Sequence, residues 1–435
     1  MRIGVLGCGT VGASLFALLE RQSATINSRT GLSLEVSRIA VRNLSQKRSA
    51  VVGADAFTDD ALSVVSDPSI DIIVEVMGGI EPARGLVLAA LAAGKPVVTA
   101  NKALLAAHGF ELFAAAESAG VDILFEASVA GGIPFIRPLR ESLLAEPVVR
   151  VMGIMNGTTN YILTRMSEAG ADYSEALAEA QSLGYAEADP TADVEGHDAA
   201  AKIAIVASIA FGAEVTSSDV HCEGISSVSA DDISFAQRHG YAIKLLAIAE
   251  RFSLPGGDEL SARVHPCLIP KAHPLAAVRE SFNAVFVQGD AVGDLMFYGR
   301  GAGGDPTASA VLGDLVDAAV NLQSGAHASL GTFIPMSFRS NDELDAAWYL
   351  SLRVDDRPGV LAAIAGVFGS HGVSIDSMEQ HSLSGPEMAA DEARIDLIIH
   401  PALERDVRAT LVSLSELESV RSLGSTIRVL IDADI

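Results

Sequence analysis

Apolar residues recur in two rhythms along the first 130 positions. Short runs such as "RIGVLG", "LEVSRIAVR", "SIDIIVEVMGG" and the start of "KPVVTANKALLA" alternate with stretches of helical periodicity, "TVGASLFALLE" and "ARGLVLAALAAG". The runs read as strands and the periodic stretches as helices. "VDILFEASVAGGIP" opens with one more strand. Strands separated by helices predict a parallel, doubly wound α/β sheet.

Past residue 130 the rhythm changes. "VVRVMGIMNGTTNYILTRM" predicts a strand, a polar turn and a helix; "YSEALAEAQSLG" is an amphipathic helix closed by Gly184. A loop held open by Pro190 leads into "GHDAAAKIAIVASIAFG", a helix whose later half is wholly apolar and therefore buried. The helix near 305–327, "GDPTASAVLGDLVDAAVNL", follows, then "SFRSNDELDAA" as a polar linker. Residues 348–435 restart as a β-α-β-β-α-β unit, the ferredoxin-like order. The expected division is 1–130, 131–330, a linker at 331–347, and 348–435.

Composition narrows the function classes. The 435 residues suffice for two to four domains, and 49% apolar with 5% aromatic residues suits helices packed on parallel sheets. A net charge of −25 argues against nucleic acid and anionic bilayers as partners. It leaves room for a small anion held by a local cluster of Arg, Lys and backbone N–H groups. No basic leader or spanning run is apparent, and Cys8, Cys222 and Cys267 form no metal-spaced pair, so a soluble, cytoplasmic protein is expected.

Three features carry chemistry. Gly7-x-Gly9-x-x-Gly12 follows the first strand and opens a helix, as a Rossmann-type dinucleotide site requires: a tight turn, close approach to a pyrophosphate, and close helix–strand packing. Free N–H groups at that helix start, around Thr10 and Val11, would face the phosphates. The second strand ends at Arg42, with Lys47 and Arg48 beyond, rather than at an acid; this favours NADP over NAD, a solvated basic loop being the other reading. Lys102 follows "VVTAN" at the carboxyl end of a strand, where ligands of such sheets bind; an exposed lysine at a helix start is the plainer account. The third feature is "GYAEADPTADVEGHDAAAK", five acids and one of the chain's six lysines within nineteen residues. Asp198 and Lys202 share a helix face, either as a surface ion pair or as a tuned lysine entering the core. His197 should face away from them, since successive helical positions point ~100° apart.

"GCGTVG", "TANKALLA", "FEASVAGGIPFI", "NGTTNYIL", "GYAEADPTADVEGHDAAAKIAI", "HPLAAVRESFNAVFV" and "GRGAGGDPTASAVLGDL" together resemble homoserine dehydrogenase, across about the first 330 residues. That resemblance implies NAD(P)-dependent interconversion of L-homoserine and L-aspartate 4-semialdehyde, in threonine, methionine and isoleucine biosynthesis. It makes residues 131–330 an α+β catalytic and dimerisation domain and the protein a homodimer or homotetramer. Lys202 would be the proton donor and acceptor, with Lys102 a second catalytic lysine near the same oxygen and the cofactor. Asp198 and Glu187 would hold the substrate's ammonium end, and Asp193 would shape the pocket. Glu126 with the carbonyls of Val129, Gly131 and Ile133 matches the family's monovalent-cation site, usually Na+. Gly184, Gly299 and Gly301 match positions lining the cofactor, and Arg42 the position reading a 2′-phosphate, though some members use NAD comparably. The carboxyl-terminal unit resembles the ACT domain through "DRPGVL" at Asp356–Leu361 and "GVSI" at Gly372–Ile375. The implied effector is L-threonine, with contacts at Arg357, Pro358, Gly359, Gly372, Val373 and Ser374; a tail used only for assembly is the alternative.

Overall fold

The computed structural model describes residues 1–45, 52–382 and 392–431. Lys47 and Arg48 lie outside the described residues.

Six parallel strands form the first sheet: β1 (Arg2–Leu6), β2 (Glu35–Ala40), β3 (Phe57–Thr58), β4 (Ile72–Glu75), β5 (Val97–Thr99) and β6 (Ile123–Leu124). Their order is β3-β2-β1-β4-β5-β6, so the switch in winding falls between β1 and β4, where a dinucleotide binds in such sheets. Both faces are covered, which explains the unbroken apolar runs. Ile72 and Val74 face Leu15, Phe16 and Leu19 of helix Thr10–Thr30, while Ile73 faces Val87 and Leu91 of helix Ala83–Ala92. Helix Gly304–Ser324 returns to this sheet and buries Val311 and Leu315 against helix Thr10–Thr30.

The second sheet carries the remaining strands: β7 (Val148–Ile154), β8 (His221–Cys222), β9 (Tyr241–Leu254), β10 (Gly257–Pro270), β11 (Phe282–Gly289), β12 (Gly293–Arg300), β13 (Ser337–Phe338), β14 (Asp345–Asp355), β15 (Ile375–Ser382), β16 (Glu392–Leu403) and β17 (Val420–Val429). Its main path runs β12-β11-β7-β9-β10-β17-β14-β16-β15, with β8 and β13 on β10. Helix His197–Phe211 lies on it, buried from Ile203 through Ser208 as the apolar pattern requires.

The last four strands on that path, with helices Val360–Ser370 and Glu404–Ser415, are the β-α-β-β-α-β unit. One sheet face packs on these helices through Leu350, Leu352, Ile364, Phe368 and Leu414. The other meets helix Ala230–Arg238: the Tyr349 ring lies 4.6 Å from that of Phe235, and its hydroxyl is 2.8 Å from both Asp232 and Asp396. Arg394 donates to Asp231, Asp232 and Asp396 and compensates this buried charge.

The expected linker is not a free tether. Ile334 bridges Ala213, and β13 pairs with β10 at Glu259 and Leu260. Backbone groups make these pairings, so the polar side chains of 337–347 gave no sign of them. β10 also pairs with β17 at Cys267–Arg428 and Leu268–Val429, which makes the sheets of the middle and ferredoxin-like units one.

Arg428 closes that seam. It is buried, donates to Glu404 at 2.6 and 3.0 Å and to Glu223 at 2.9 Å, and covers the Trp348 ring. Removing one partner of a buried pair strands the other charge, at a cost of roughly 3–5 kcal/mol. Arg428→Ala should therefore lower the urea midpoint of the full chain markedly. Arg405→Ala, at an exposed arginine, should leave it unchanged.

Candidate active site

The glycine loop after β1 is built for close approach. Gly7 has φ +107°, and a Cβ there would lie 2.7 Å from the Val76 carbonyl oxygen. A Cβ on Gly12 would lie 2.8 Å from the Gly7 oxygen, so helix Thr10–Thr30 could not seat against the loop. Gly9 is the N-cap, the first turn has no acid, and the first N–H groups, from Thr10 and Val11 onward, have no intrahelical acceptor. Arg42 is exposed two residues beyond β2, with no carboxylate among Ala40–Asn43. These residues fit a phosphorylated dinucleotide. Glu75, buried at the end of β4, shapes the opposite wall by accepting from Met77 N (2.9 Å), Gly78 N (3.3 Å) and Thr99 Oγ1 (2.6 Å). Asn101 caps helix Lys102–Ala119 through Leu104 N and donates to the Gly79 carbonyl at 2.6 Å, tying the loops after β4 and β5 together.

Those loops open onto a cleft of about 300 Å³, lined among others by Gly78, Gly79, Lys102, Gly131, Lys202 and Gly301. Both lysines reach it from different units and meet on one carboxylate. Lys102, 43% exposed in its side chain, pairs with Asp198 Oδ1; buried Lys202 donates to Asp198 Oδ2 at 2.7 Å and to the Met155 carbonyl at 2.6 Å. The i,i+4 spacing is thus a buried ion pair with a third partner. Asn156 Nδ2 donates to Asp193 Oδ1 at 2.7 Å and to Asp198 Oδ2 at 2.9 Å.

Charge in this cluster is tuned by position. Burial disfavours the Lys202 ammonium and the neighbouring Lys102 charge adds to the effect; together they outweigh Asp198 and push its pKa down. Burial also opposes ionisation of Asp198, but the two ammoniums hold its carboxyl well below the usual range. Asp193 is pushed up by burial against its bond from Asn156. One carboxylate held anionic thus serves two amines, and burial makes Lys202 give up its proton more readily than an ordinary lysine.

Other expected residues are distributed differently. Gly184, with φ +76°, and Glu187 are exposed on the loop after helix Tyr173–Ser182, outside the cleft lining. Gln181 donates to the Glu187 carbonyl at 3.1 Å, and Thr158 Oγ1 to the Tyr185 carbonyl at 2.7 Å, which holds this loop at the surface. His197 points to a separate depression beside Ile80 and Cys222, as the helical angle requires. Gly301 lines the cleft, whereas Gly299 lies behind it against Ile133.

The carboxylate of Glu126 accepts from the N–H groups of Phe135 (2.5 Å), Ile136 (2.7 Å) and Arg137 (2.8 Å). Among the described residues, no group donates to the carbonyls of Val129, Gly131 or Ile133, all three buried. Carbonyls of buried residues left without donors suit a hard monovalent ion. Gly131 (φ +53°) permits this loop; a Cβ there would lie 2.3 Å from the Gly301 oxygen. In the terminal unit, Arg357, Pro358 and Gly359 precede helix Val360–Ser370, and Gly372, Val373 and Ser374 follow it. The two groups are about 16 Å apart along that helix, so one small molecule cannot touch both within a chain. Val373 is core, packed with Phe368.

Sequence reasoning missed Asn156, the Met155 carbonyl and Glu75. "NGTTNYIL" held the signal for Asn156, an N-cap residue, but its second role needs tertiary contacts.

The chain matches three family models: "Homoserine dehydrogenase, NAD binding domain" over residues 7–126, "Homoserine dehydrogenase" over 134–316, and "ACT domain" over 348–414. It is 51% identical over 429 residues to the homoserine dehydrogenase of Corynebacterium glutamicum, covering 98% of this chain and 95% of that one. Its structure is similar to that of a homoserine dehydrogenase from Thiobacillus denitrificans, with TM-score 0.91, 43% identity and coverage of 99% and 98%. A hyperthermophilic archaeal homoserine dehydrogenase in complex with NADPH aligns with TM-score 0.62 and 28% identity over 74% of this chain and 98% of that one. With a glycine-built nucleotide loop, two lysines on one buried carboxylate and an ACT unit in a single sheet, the chain belongs to the homoserine dehydrogenase family.

Proposed function

We propose that this oxidoreductase interconverts L-homoserine and L-aspartate 4-semialdehyde with NADP, Lys202 moving the proton. The observation that carries the reading is the pair of lysines sharing Asp198 at the mouth of the glycine-walled cleft. Bound nicotinamide supplies the hydride acceptor or donor. Neutral Lys202 takes the hydroxyl proton during oxidation, and its ammonium returns it during reduction. Lys102, more exposed, stabilises alkoxide character at the same oxygen. Asp198 and Glu187 hold the substrate's ammonium end, Glu187 from the loop after helix Tyr173–Ser182, and Asp193 shapes the pocket.

Arg42 supports a 2′-phosphate, as does the NADPH named with the archaeal relative. NAD would then be the weaker cofactor. Na+ at the Val129, Gly131 and Ile133 carbonyls, beside Glu126, would brace the loop that touches Gly301. L-Threonine, as effector, would bridge the Arg357–Gly359 segment of one chain and the Gly372–Ser374 segment of another, which requires a homodimer or homotetramer. No helix among the described residues is long and apolar enough to cross a membrane, in keeping with a cytoplasmic site of action.

Lys202→Ala should lower kcat by roughly 10²–10⁴-fold with NADP affinity nearly intact, read by NADPH formation and cofactor titration. Retained turnover would remove Lys202 from the mechanism. Oxidation needs the neutral amine, so kcat should rise with pH and level off below the ordinary lysine value of about 10.4; reduction should fall over the same interval. A limb at or above that value contradicts the burial argument. Arg42→Asp should raise KM for NADP far more than for NAD. L-Threonine should inhibit the wild type, and Arg357→Ala should weaken that inhibition; a wild type indifferent to threonine ends the effector reading.

A further inference from the structure

We infer that Asn156 is a positioning residue for proton transfer: its amide clamps Asp193 and Asp198 together and fixes the rotation of the Asp198 carboxylate, so that each lysine meets its own oxygen. The inference rests on the reading of Lys202 as the proton carrier.

The geometry leaves the amide one orientation. Its Oδ1 accepts from Thr159 N at 2.8 Å and Thr159 Oγ1 at 3.0 Å, capping helix Gly157–Ala169. Its Nδ2 has two hydrogens and two acceptors, Asp193 Oδ1 at 2.7 Å and Asp198 Oδ2 at 2.9 Å. Reversing the amide would set a carbonyl oxygen against two carboxylates and an N–H₂ against a backbone N–H. Asn156 is 5% exposed, so water cannot replace these bonds cheaply.

Asp198 can rotate about its Cβ–Cγ bond. With Asn156 and Lys202 both on Oδ2, Oδ1 is left to Lys102. Without that amide the two ammoniums compete for either oxygen, and two carboxylates face each other with no donor between them. Asp193 is already disfavoured as an anion by burial, so it would accept a proton more readily still. The neighbouring Met155 carbonyl holds the Lys202 ammonium at 2.6 Å. Consecutive residues at the end of β7 thus place the amine and orient its counter-ion. Asn, Asp and Ser cap helices comparably, and among them only Asn offers two donor hydrogens.

This separates the cap from the clamp. Asn156→Ser keeps a capping oxygen and loses the amide donors; Asn156→Ala loses both. Tm, NADP affinity, and kcat and KM against pH would be measured for each beside Lys202→Ala. Asn156→Ser should keep the wild-type NADP affinity and lose less Tm than Asn156→Ala, while kcat falls about 10–100-fold. Its ascending limb should move to lower pH, because the Lys202 ammonium, facing Asp198, Asp193, Lys102 and the Met155 carbonyl, loses an oriented counter-ion. Asn156→Ala should show the same kinetics with a lower Tm. Should Asn156→Ser fold poorly, Asn156→Gly, tolerated at an N-cap, is read the same way. Wild-type kcat with an unmoved limb in a folded variant overturns the inference. If Lys202→Ala also retains turnover, the Lys202 reading itself has failed; if only the Asn156 variants retain it, that reading stands.

Discussion

Everything at the cleft depends on one carboxylate being shared. Asp198 is buried and stays ionised only because two ammoniums reach it, one from a helix after β5 and one from its own helix. The ion pair spans the nucleotide-binding and catalytic units, so bringing them together and charging the site are one event. Burial alone makes Asp198 harder to ionise and Lys202 harder to charge. The fold is arranged so that neither is alone.

Much of this was legible. The i,i+4 register of Asp198 and Lys202, the outward turn of His197, and the tight glycines at 7 and 12 follow from helical angle and steric contact, which are local. Doubly buried strands announced themselves as unbroken apolar runs. The β-α-β-β-α-β unit was readable because each of its elements carries its own period.

What stayed hidden depends on distant backbone. Polar residues between 337 and 347 read as a tether, yet β13 pairs with β10 through main-chain groups that any side chain permits. Met155 serves Lys202 through its carbonyl, so its side chain gave no clue. The site roles of Gly184 and Glu187 came from resemblance alone, and the structure leaves both residues on a surface loop. The resemblance set the proposed effector segments at the two ends of a helix, and its eleven residues keep them apart within one chain.

The pairing of β10 with β17 reaches past the active site. During synthesis β10 leaves the ribosome some 150 residues before the strand that covers its Cys267–Leu268 edge. A catalytic sheet completed early must therefore wait with part of its border open, and nascent chains stalled between the two strands expose a ladder that neighbours can join. Joining β17 to β10 makes synthesis of the ferredoxin-like unit a condition for a sealed catalytic sheet.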